Sequence, residues 1–178
     1  MKLNRREMTF LTAATLVAGP ALAEGEAAAE PKMIEVQMLN KHPETGQPMQ
    51  FVPRIIHANV GDTIKFLATD KGHNAVSNKK MLPEGAEGFK GGMNKEVEYV
   101  VETPGFLGIE CTPHRSVGMV GLIVAEGEGK LANLEDAMKV RHSGKAKKAW
   151  EEIWEEAEAA GLLEEVTPME GAEESTAS

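Results

Sequence analysis

Short runs of apolar and polar residues, separated by Gly and Pro, fill the chain from about residue 33 to 126. Residues 33–39 alternate apolar and polar side chains, which predicts a strand with one buried face. Pro53 interrupts a second run and marks an edge or bulge position there. Including that run, the further predicted strands are 49–60, 63–69, 95–101, 105–110 and 118–125. Several short strands with Gly/Pro turns between them indicate a β-sandwich.

The pattern becomes helical after Gly129. Asn133 can cap a short helix that extends to about Arg141, and a second helix is predicted from about residue 145 to 160, ending at Gly161. Its apolar positions follow the i, i+3, i+4 spacing of a helix that packs on a core: Ala146, Ala149, Trp150, Ile153, Trp154 and Ala157. The expected fold class is mainly β, with a sandwich at 33–128 and two C-terminal helices at 129–162 packed on it.

The first residues have the pattern of an export signal. Lys2, Arg5 and Arg6 precede an apolar stretch at 10–18, and 21–23 reads Ala-Leu-Ala, so residues 1–23 are predicted to be a signal peptide. A membrane anchor is the alternative, but the apolar run is far shorter than the roughly 20 residues of a spanning helix. The Arg pair allows either twin-arginine or Sec export.

Both ends of the expected mature chain are polar. Residues 24–32 are predicted to be a flexible N-terminus and 163–178 an acidic, disordered tail. The formal net charge of the 178-residue chain is −9, and positions 151–178 contain ten Glu and no Lys or Arg. Acidity therefore belongs mainly to positions 151–178. The sequence has no basic stripe with interleaved aromatic residues, which argues against a nucleic-acid partner.

The strongest chemical signal is the stretch Cys111-Thr112-Pro113-His114, followed by Met119. A thiolate and an imidazole favour copper or zinc, and a weakly bound thioether is typical of a copper electron-transfer centre. Cys111 is the one cysteine of the chain, and in an oxidising compartment a lone thiol pairs, reacts or is protected. Coordination would protect it, whereas the alternative is an inert core cysteine.

The missing second imidazole is assigned to His73. It follows the predicted strand 63–69, so the core would hold its position. The predicted metal ligands are His73, Cys111, His114 and Met119, the two-His, one-Cys set with a long axial Met. The other histidines, His42, His57 and His142, are interpreted as surface or core residues.

The chain resembles the pseudoazurins, small bacterial copper proteins among the cupredoxins. The matching segments are 35–41, 70–74, 81–87, 111–114 and 132–134. The resemblance implies a Greek-key cupredoxin fold and one copper ion (Cu⁺/Cu²⁺). It implies a periplasmic, non-enzymatic carrier of single electrons that serves redox partners such as copper nitrite reductase, nitrous oxide reductase or c-type cytochromes. It also implies a monomer without a membrane span in the mature chain.

Further site residues follow partly from that resemblance. Asn74 and Thr112 match positions that tie the two ligand loops together, although ordinary turn residues are the alternative. Met49 matches a position that packs near the exposed histidine. Pro113 lacks an N–H and cannot donate a hydrogen bond to the thiolate of Cys111.

Partner recognition is less specific in the sequence. Family members resemble one another in a lysine ring around the exposed histidine, and such a ring could be formed here by Lys41, Lys71, Lys79, Lys80, Lys90 and Lys95. A solvated lysine face is equally compatible with the sequence. Two competing functions use the same residues: copper delivery or storage, and a thiol-dependent enzyme built on Cys111 and His114.

Overall fold

The structure, a computed structural model, describes residues 30–164. Eight strands follow one another along the chain: β1 (Met33–Lys41), β2 (Pro48–Val52), β3 (Ile55–Asn59), β4 (Thr63–Leu67), β5 (Val76–Ser77), β6 (Val97–Val100), β7 (Gly105–Glu110) and β8 (Val120–Glu126). They form two four-stranded sheets, the first in the order β2-β1-β4-β6 and the second in the order β3-β8-β7-β5. Together with the helices that follow, this confirms the predicted fold class.

Each sheet mixes parallel and antiparallel neighbours. In the first sheet, β1 runs parallel to β4 and antiparallel to β2. In the second, β3 runs parallel to β8, while β7 is antiparallel to both β8 and β5. The chain therefore crosses between the sheets rather than forming consecutive hairpins, as in a Greek-key sandwich.

The predicted strand at 49–60 is two strands in different sheets. β2 pairs with β1 in the first sheet, whereas β3 pairs with β8 in the second. Pro53 lies between them, at the crossing, rather than at an edge or bulge within one strand. Proline lacks the backbone N–H that strand pairing requires. The chain therefore changes sheet at a residue that could not have donated a backbone hydrogen bond in either sheet.

The second sheet is buried on both faces. On β8, Ile123 and Ala125 belong to the core between the sheets, whereas Leu122 and Val124 belong to a second core under the helices. Side chains alternate between faces along a strand, so a strand covered on both sides must be apolar throughout. This explains why 118–125 lacks the alternation seen in β1.

Two helices cover the outer face of the second sheet, α1 (Leu134–Lys139) and α2 (Lys145–Ala159). The buried residues of α2 are Ala146, Trp150, Ile153 and Ala157, and Ala149 and Trp154 are partly buried against the same core. The predicted apolar face is confirmed. Packing rather than charge order holds this helix, because its lysines precede its glutamates and oppose the helix dipole.

Asn133 occupies the predicted N-cap position of α1, but the expected side-chain cap is absent. Its side chain makes no capping hydrogen bond to α1. Instead Oδ1 accepts from the backbone N–H of Phe106 at 2.9 Å, and Nδ2 donates to the Phe106 carbonyl at 2.7 Å. The amide satisfies both backbone groups of a β7 residue, so it attaches the start of the helical region to the sandwich.

Several expectations concern residues outside the described range. The predicted signal peptide at 1–23 lies outside it, as do 24–29 of the N-terminal segment and 165–178 of the acidic tail. Among residues 30–164, no helix has the length and hydropathy needed to cross a bilayer.

Asp62 stabilises the turn between β3 and β4. Its carboxylate accepts the backbone N–H groups of Lys32 and Asn59, each at 2.8 Å. Burial opposes ionisation of Asp62, but the hydrogen bonds from Asn59 and Lys32 outweigh it and hold the pKa of the carboxyl below its ordinary value of 3.8. The folded protein therefore favours the charged form.

Replacing Ile153 by Ala should destabilise the protein without altering the site. Ile153 is fully buried between α2 and the second sheet, and truncation of such a residue costs about 2–5 kcal/mol of unfolding free energy. Urea unfolding measures the loss. Glu155→Ala, on the exposed face of α2, is the control and should change stability by less than about 0.5 kcal/mol. Equal effects of the two substitutions would contradict the packing described here.

Asp62→Ala should lower the free energy of unfolding by about 1–3 kcal/mol at pH 7, since two backbone donors lose their acceptor. A depressed carboxyl pKa contributes stability above the unfolded pKa and loses it as pH falls through the folded pKa. The difference from wild type should thus persist at pH 5 and shrink below about pH 4. Unfolding at several pH values measures it, with Glu44→Ala as the exposed control; a difference that grows in acid would refute the assignment.

Candidate metal centre

Three donor atoms from two loops converge at one end of the sandwich. The Nδ1 atoms of His73 and His114 are 3.1 Å apart, and Sγ of Cys111 lies 3.5 Å from Nδ1 of His114 and 3.7 Å from Nδ1 of His73. The circle through these atoms has a radius of about 2.0 Å, close to the roughly 2.0–2.3 Å of metal–nitrogen and metal–sulfur bonds. Among the described residues this is the one cluster of His, Cys and acidic side chains with metal-binding spacing.

The two central strands of the second sheet position the ligand loop. Cys111 directly follows β7 and Met119 directly precedes β8, so the loop joins two antiparallel neighbours. The backbone N–H of Cys111 donates to the Met119 carbonyl at 3.0 Å, and that of Met119 donates to the His114 carbonyl at 3.1 Å. These bonds connect the two ends of the loop and restrict the positions of its ligand residues.

His73 approaches from the loop after β4. The backbone N–H of Asn94 donates to its carbonyl at 2.8 Å, and Oδ1 of Asn94 accepts the N–H of Gly72. Gly72 has a φ of +96°, and a Cβ there would lie 3.9 Å from the His114 ring. The loop thus reaches the ligand loop through a residue that tolerates left-handed backbone.

Burial sets the protonation of the donors. His73, Cys111 and Met119 have no exposed surface, whereas His114 is half-buried. Burial raises the pKa of the Cys111 thiol, and the backbone N–H groups of Asn74 and His114 partly oppose it. Burial, followed by the neighbouring His114, lowers the pKa of His73. Neutral imidazole is the metal-binding form, and a metal that takes the thiolate must displace the thiol proton.

Asn74 connects the two ligand loops. Its Oδ1 accepts the backbone N–H of Thr112 at 2.9 Å, and its Nδ2 donates to Oγ1 of Thr112 at 3.1 Å and to the Gly91 carbonyl at 3.2 Å. Asn74 is 5% exposed, so water competes little for these bonds. The expected link between Asn74 and Thr112 is present, and it joins the residue after His73 to the residue after Cys111.

Asn40 is a site residue that the sequence analysis missed. Nε2 of His73 lies 3.0 Å from Oδ1 of Asn40, and because an amide oxygen only accepts, Nε2 carries the proton. The lone pair of His73 is then on Nδ1, facing the other donors. The only indirect indication is the position of Asn40 near the end of β1. Strand β1 pairs with β4, which precedes His73.

The other two predicted site residues are Pro113 and Met49. Pro113 is exposed within the ligand loop. Met49 is partly buried against the core cluster that contains Cys111 and Met119, and it has a left-handed φ of 54°. The packing of Met49 beside His114 stays a prediction.

The remaining histidines are apart from the cluster. Nδ1 of His42 accepts two backbone N–H groups of its own turn, and Nε2 of His57 lies 2.8 Å from Glu126. His142 stacks on Trp150 with ring centres 5.1 Å apart. None of them joins the cluster formed by the described residues.

The donor set fits copper better than zinc. Two imidazole nitrogens and one thiolate form a nearly regular triangle, and the further soft donor Met119 is buried in the same core cluster as Cys111. A trigonal two-His, one-Cys arrangement with a weak thioether is characteristic of copper electron-transfer sites, whereas structural zinc takes four strong ligands in a tetrahedron.

Comparison with known proteins agrees with this chemistry. Residues 36–126 match the family of copper-binding proteins described as the plastocyanin/azurin family. A pseudoazurin of Paracoccus pantotrophus is 48% identical over 89 residues, which span 50% of this chain and 60% of the relative. A pseudoazurin of Methylorubrum extorquens is 40% identical over 134 residues, which span 75% of this chain and 86% of the relative.

Solved structures give the same result. A pseudoazurin from Sinorhizobium matches with a TM-score of 0.68 at 42% identity, covering 73% of this chain and 99% of that one. The pseudoazurin of Hyphomicrobium denitrificans matches with a TM-score of 0.64 at 37% identity, covering 70% and 97%. The chain therefore belongs to the copper-binding plastocyanin/azurin family and, within it, to the pseudoazurins.

Proposed function

We propose that this protein is a carrier of single electrons whose copper ion is held by His73, Cys111 and His114, with Met119 as a weak axial ligand. The observation that carries the proposal is the buried triangle of donor atoms, with sides of 3.1–3.7 Å. Copper supplies a reversible one-electron change when it is bound. The protein supplies donor positions that suit both oxidation states.

Rigidity is what the surrounding residues contribute. Asn74 fixes the two ligand loops to each other, and Asn40 fixes the ring of His73 from the side opposite the donors. Ligands on closed loops between packed strands resist rearrangement, because moving one would break several buried or partly buried hydrogen bonds. Little reorganisation on a change of charge favours fast electron transfer.

His114 is the route to the surface in this proposal. It is the half-buried member of the histidine pair, whereas His73 has no exposed surface. Val117 of the ligand loop and Met93, next to the Asn94 that holds the His73 loop, are exposed apolar residues. All six lysines of the candidate ring are exposed: Lys41, Lys71, Lys79, Lys80, Lys90 and Lys95. Such charges speed encounter without requiring tight binding.

The biological setting belongs to the same proposal. The signal peptide predicted at 1–23 would direct a sandwich of residues 33–128 and a helical extension of 129–162 to the periplasm. There we propose transient docking, as a monomer, to copper nitrite reductase, nitrous oxide reductase or c-type cytochromes. The resemblance to the pseudoazurins supports this choice of partners, and the lysine-bearing face supports acidic ones.

The copper(II) protein should be blue, because a thiolate held beside two imidazoles gives an intense visible absorption. Cys111→Ser should abolish this band, whereas Met119→Leu should keep it and raise the reduction potential by roughly 50–100 mV, about seven- to fifty-fold in the redox equilibrium. Absorption spectra and a redox titration measure both effects. Thr45→Ser, in a turn of the His42 region, serves as the control. A colourless copper(II) adduct of the wild type would refute the site.

The same preparation distinguishes the two competing functions. An electron carrier should retain copper through repeated oxidation and reduction, whereas a delivery protein should release it to a copper(I) acceptor. A thiol-dependent enzyme requires a reactive Cys111, so alkylation of the copper-loaded protein at the free-thiol rate would favour that alternative. Coordination should prevent alkylation.

Asn40→Leu should weaken copper(II) binding by about 10–100-fold, the usual effect of losing a hydrogen bond that orients a metal-bound histidine. Leucine matches the shape of asparagine but cannot accept the N–H of His73. Competition with a chelator at pH 7 measures the affinity. The exposed neighbour Lys41 gives the matched control, Lys41→Ala; an Asn40→Leu variant that binds copper as tightly as this control would show that Asn40 does not orient the ring.

A further inference from the structure

The first turns of α2 lie directly against the end of the ligand loop. Gly118 is buried there, and a Cβ atom added to it would lie 3.6 Å from both the Cβ of Ala149 and the carbonyl oxygen of Lys145. Gly144, which precedes α2, also approaches the loop, because a Cβ atom on it would lie 3.0 Å from the Ser116 carbonyl oxygen. The start of the helix is therefore close to the backbone of the loop at two points.

Gly118 directly precedes Met119, the proposed axial ligand. It follows the 3₁₀ turn Arg115–Val117 and has a left-handed φ of +103°, which glycine adopts without strain. Because glycine has no side chain, the backbone itself faces the helix at this residue. The side chain nearest to that face is the methyl group of Ala149.

Val120, the residue after Met119, rests on the same helix. It is 1% exposed and belongs to the core cluster that contains Ala146 and Trp150 of α2. Met119 belongs to the opposite cluster, between the two sheets, together with Cys111. Side chains alternate between the faces of a strand, so the backbone of Met119 has α2 on one side and the metal-binding core on the other.

The position of Met119 across the sheet is thus set by its two neighbours, and both of them rest on α2. Closely packed interiors transmit small displacements rather than absorb them. The long, weak thioether bond is the softest of the bonds expected around copper, and the axial ligand is one of the groups that tune the reduction potential. A small movement of α2 against Gly118 should therefore affect this bond more than the others.

We propose that Ala149 is a positioning residue for the copper centre, acting through Gly118 on the distance between the Met119 sulfur and the metal. The proposal rests on the copper site proposed above and extends it to a residue that has no donor atom of its own. A larger side chain at position 149 pushes Gly118 and Met119 away from α2, toward the core between the sheets. The thioether then approaches copper, which stabilises copper(II) and lowers the reduction potential.

Ala149→Val in the copper-loaded full chain is the test. Valine is stiff at χ1 in a helix, so its added methyl groups stay close to the backbone that faces Gly118. We expect the redox equilibrium to shift about threefold or more toward copper(II), which is about 30 mV in reduction potential. A redox titration measures the shift. An unchanged potential, or a shift toward copper(I), would overturn the proposal.

Ala157→Val is the matched control. Ala157 is a fully buried alanine of the same helix, eight residues beyond Ala149 and thus roughly 12 Å farther along the helix axis. Valine there carries the same cost in helix propensity and should lower the stability without moving the potential. Equal shifts in the two variants would show a general softening of the fold, which contradicts a specific role for Ala149.

A second background identifies the route. Leucine at position 119 has no sulfur, so in a Met119→Leu protein the further change Ala149→Val should move the redox equilibrium by less than about 1.5-fold, the non-additivity expected of coupled residues. A full shift in that background would show that Ala149 acts on copper without Met119 and would overturn the proposal.

The copper-free chain provides a readout that does not involve the metal. In ¹⁵N NMR spectra, Ala149→Val should shift the backbone amide signals of Gly118 and Met119, whereas Ala157→Val should leave them in place. Unmoved signals in Ala149→Val would contradict the mechanical link. Retained blue colour with an unchanged potential in Ala149→Val would overturn this inference and leave the proposed electron transfer intact, whereas a colourless copper(II) wild type would refute the copper site itself.

Discussion

The central constraint on this protein is that three electron-rich atoms, two imidazole nitrogens and a sulfur, are held in contact with one another inside a core. Their separations of 3.1–3.7 Å suit a shared cation far better than they suit hydrogen bonds among the donors themselves. Hydrogen bonds from residues that do not bind metal maintain the arrangement: Asn40 holds the ring of His73, and Asn74 holds Thr112. The surrounding fold therefore has to be stable enough to impose a geometry that the donor side chains alone would not adopt.

The sandwich meets that requirement through its second sheet. β7 and β8 carry the two ends of the ligand loop, and both are buried on both faces, by the first sheet on one side and by the helices on the other. Removing the helices would expose Leu122 and Val124 on the strand that directly follows Met119. Arg54 adds a polar link, since its guanidinium pairs with Glu152 at 3.2 Å and also with Glu156, both on α2. The C-terminal helices are thus part of what keeps the metal loop rigid.

Local signals made most of the fold and the ligand set predictable. Cys111, His114 and Met119 lie within one loop, so their spacing alone indicated the chemistry, and period-two and helical patterns identified the strands and α2. Features that depend on distant contacts were harder to predict. Asn133 looks like a helix cap but bonds Phe106 instead, Pro53 marks a change of sheet, and Asn40 acquires its role only because β1 pairs with β4. His142, interpreted as an ordinary surface or core residue, is half-buried and stacks on Trp150 of α2.

Crystal structures of the copper-free and copper(II) forms would test most directly whether the fold imposes the donor geometry. If it does, each side of the triangle formed by Nδ1 of His73, Sγ of Cys111 and Nδ1 of His114 should differ between the two forms by less than about 0.5 Å, the tolerance of a preorganised site. A copper-free form in which the His114 ring swings out of the cluster, or in which the two ligand loops separate, would show that the metal organises the site and would contradict this account.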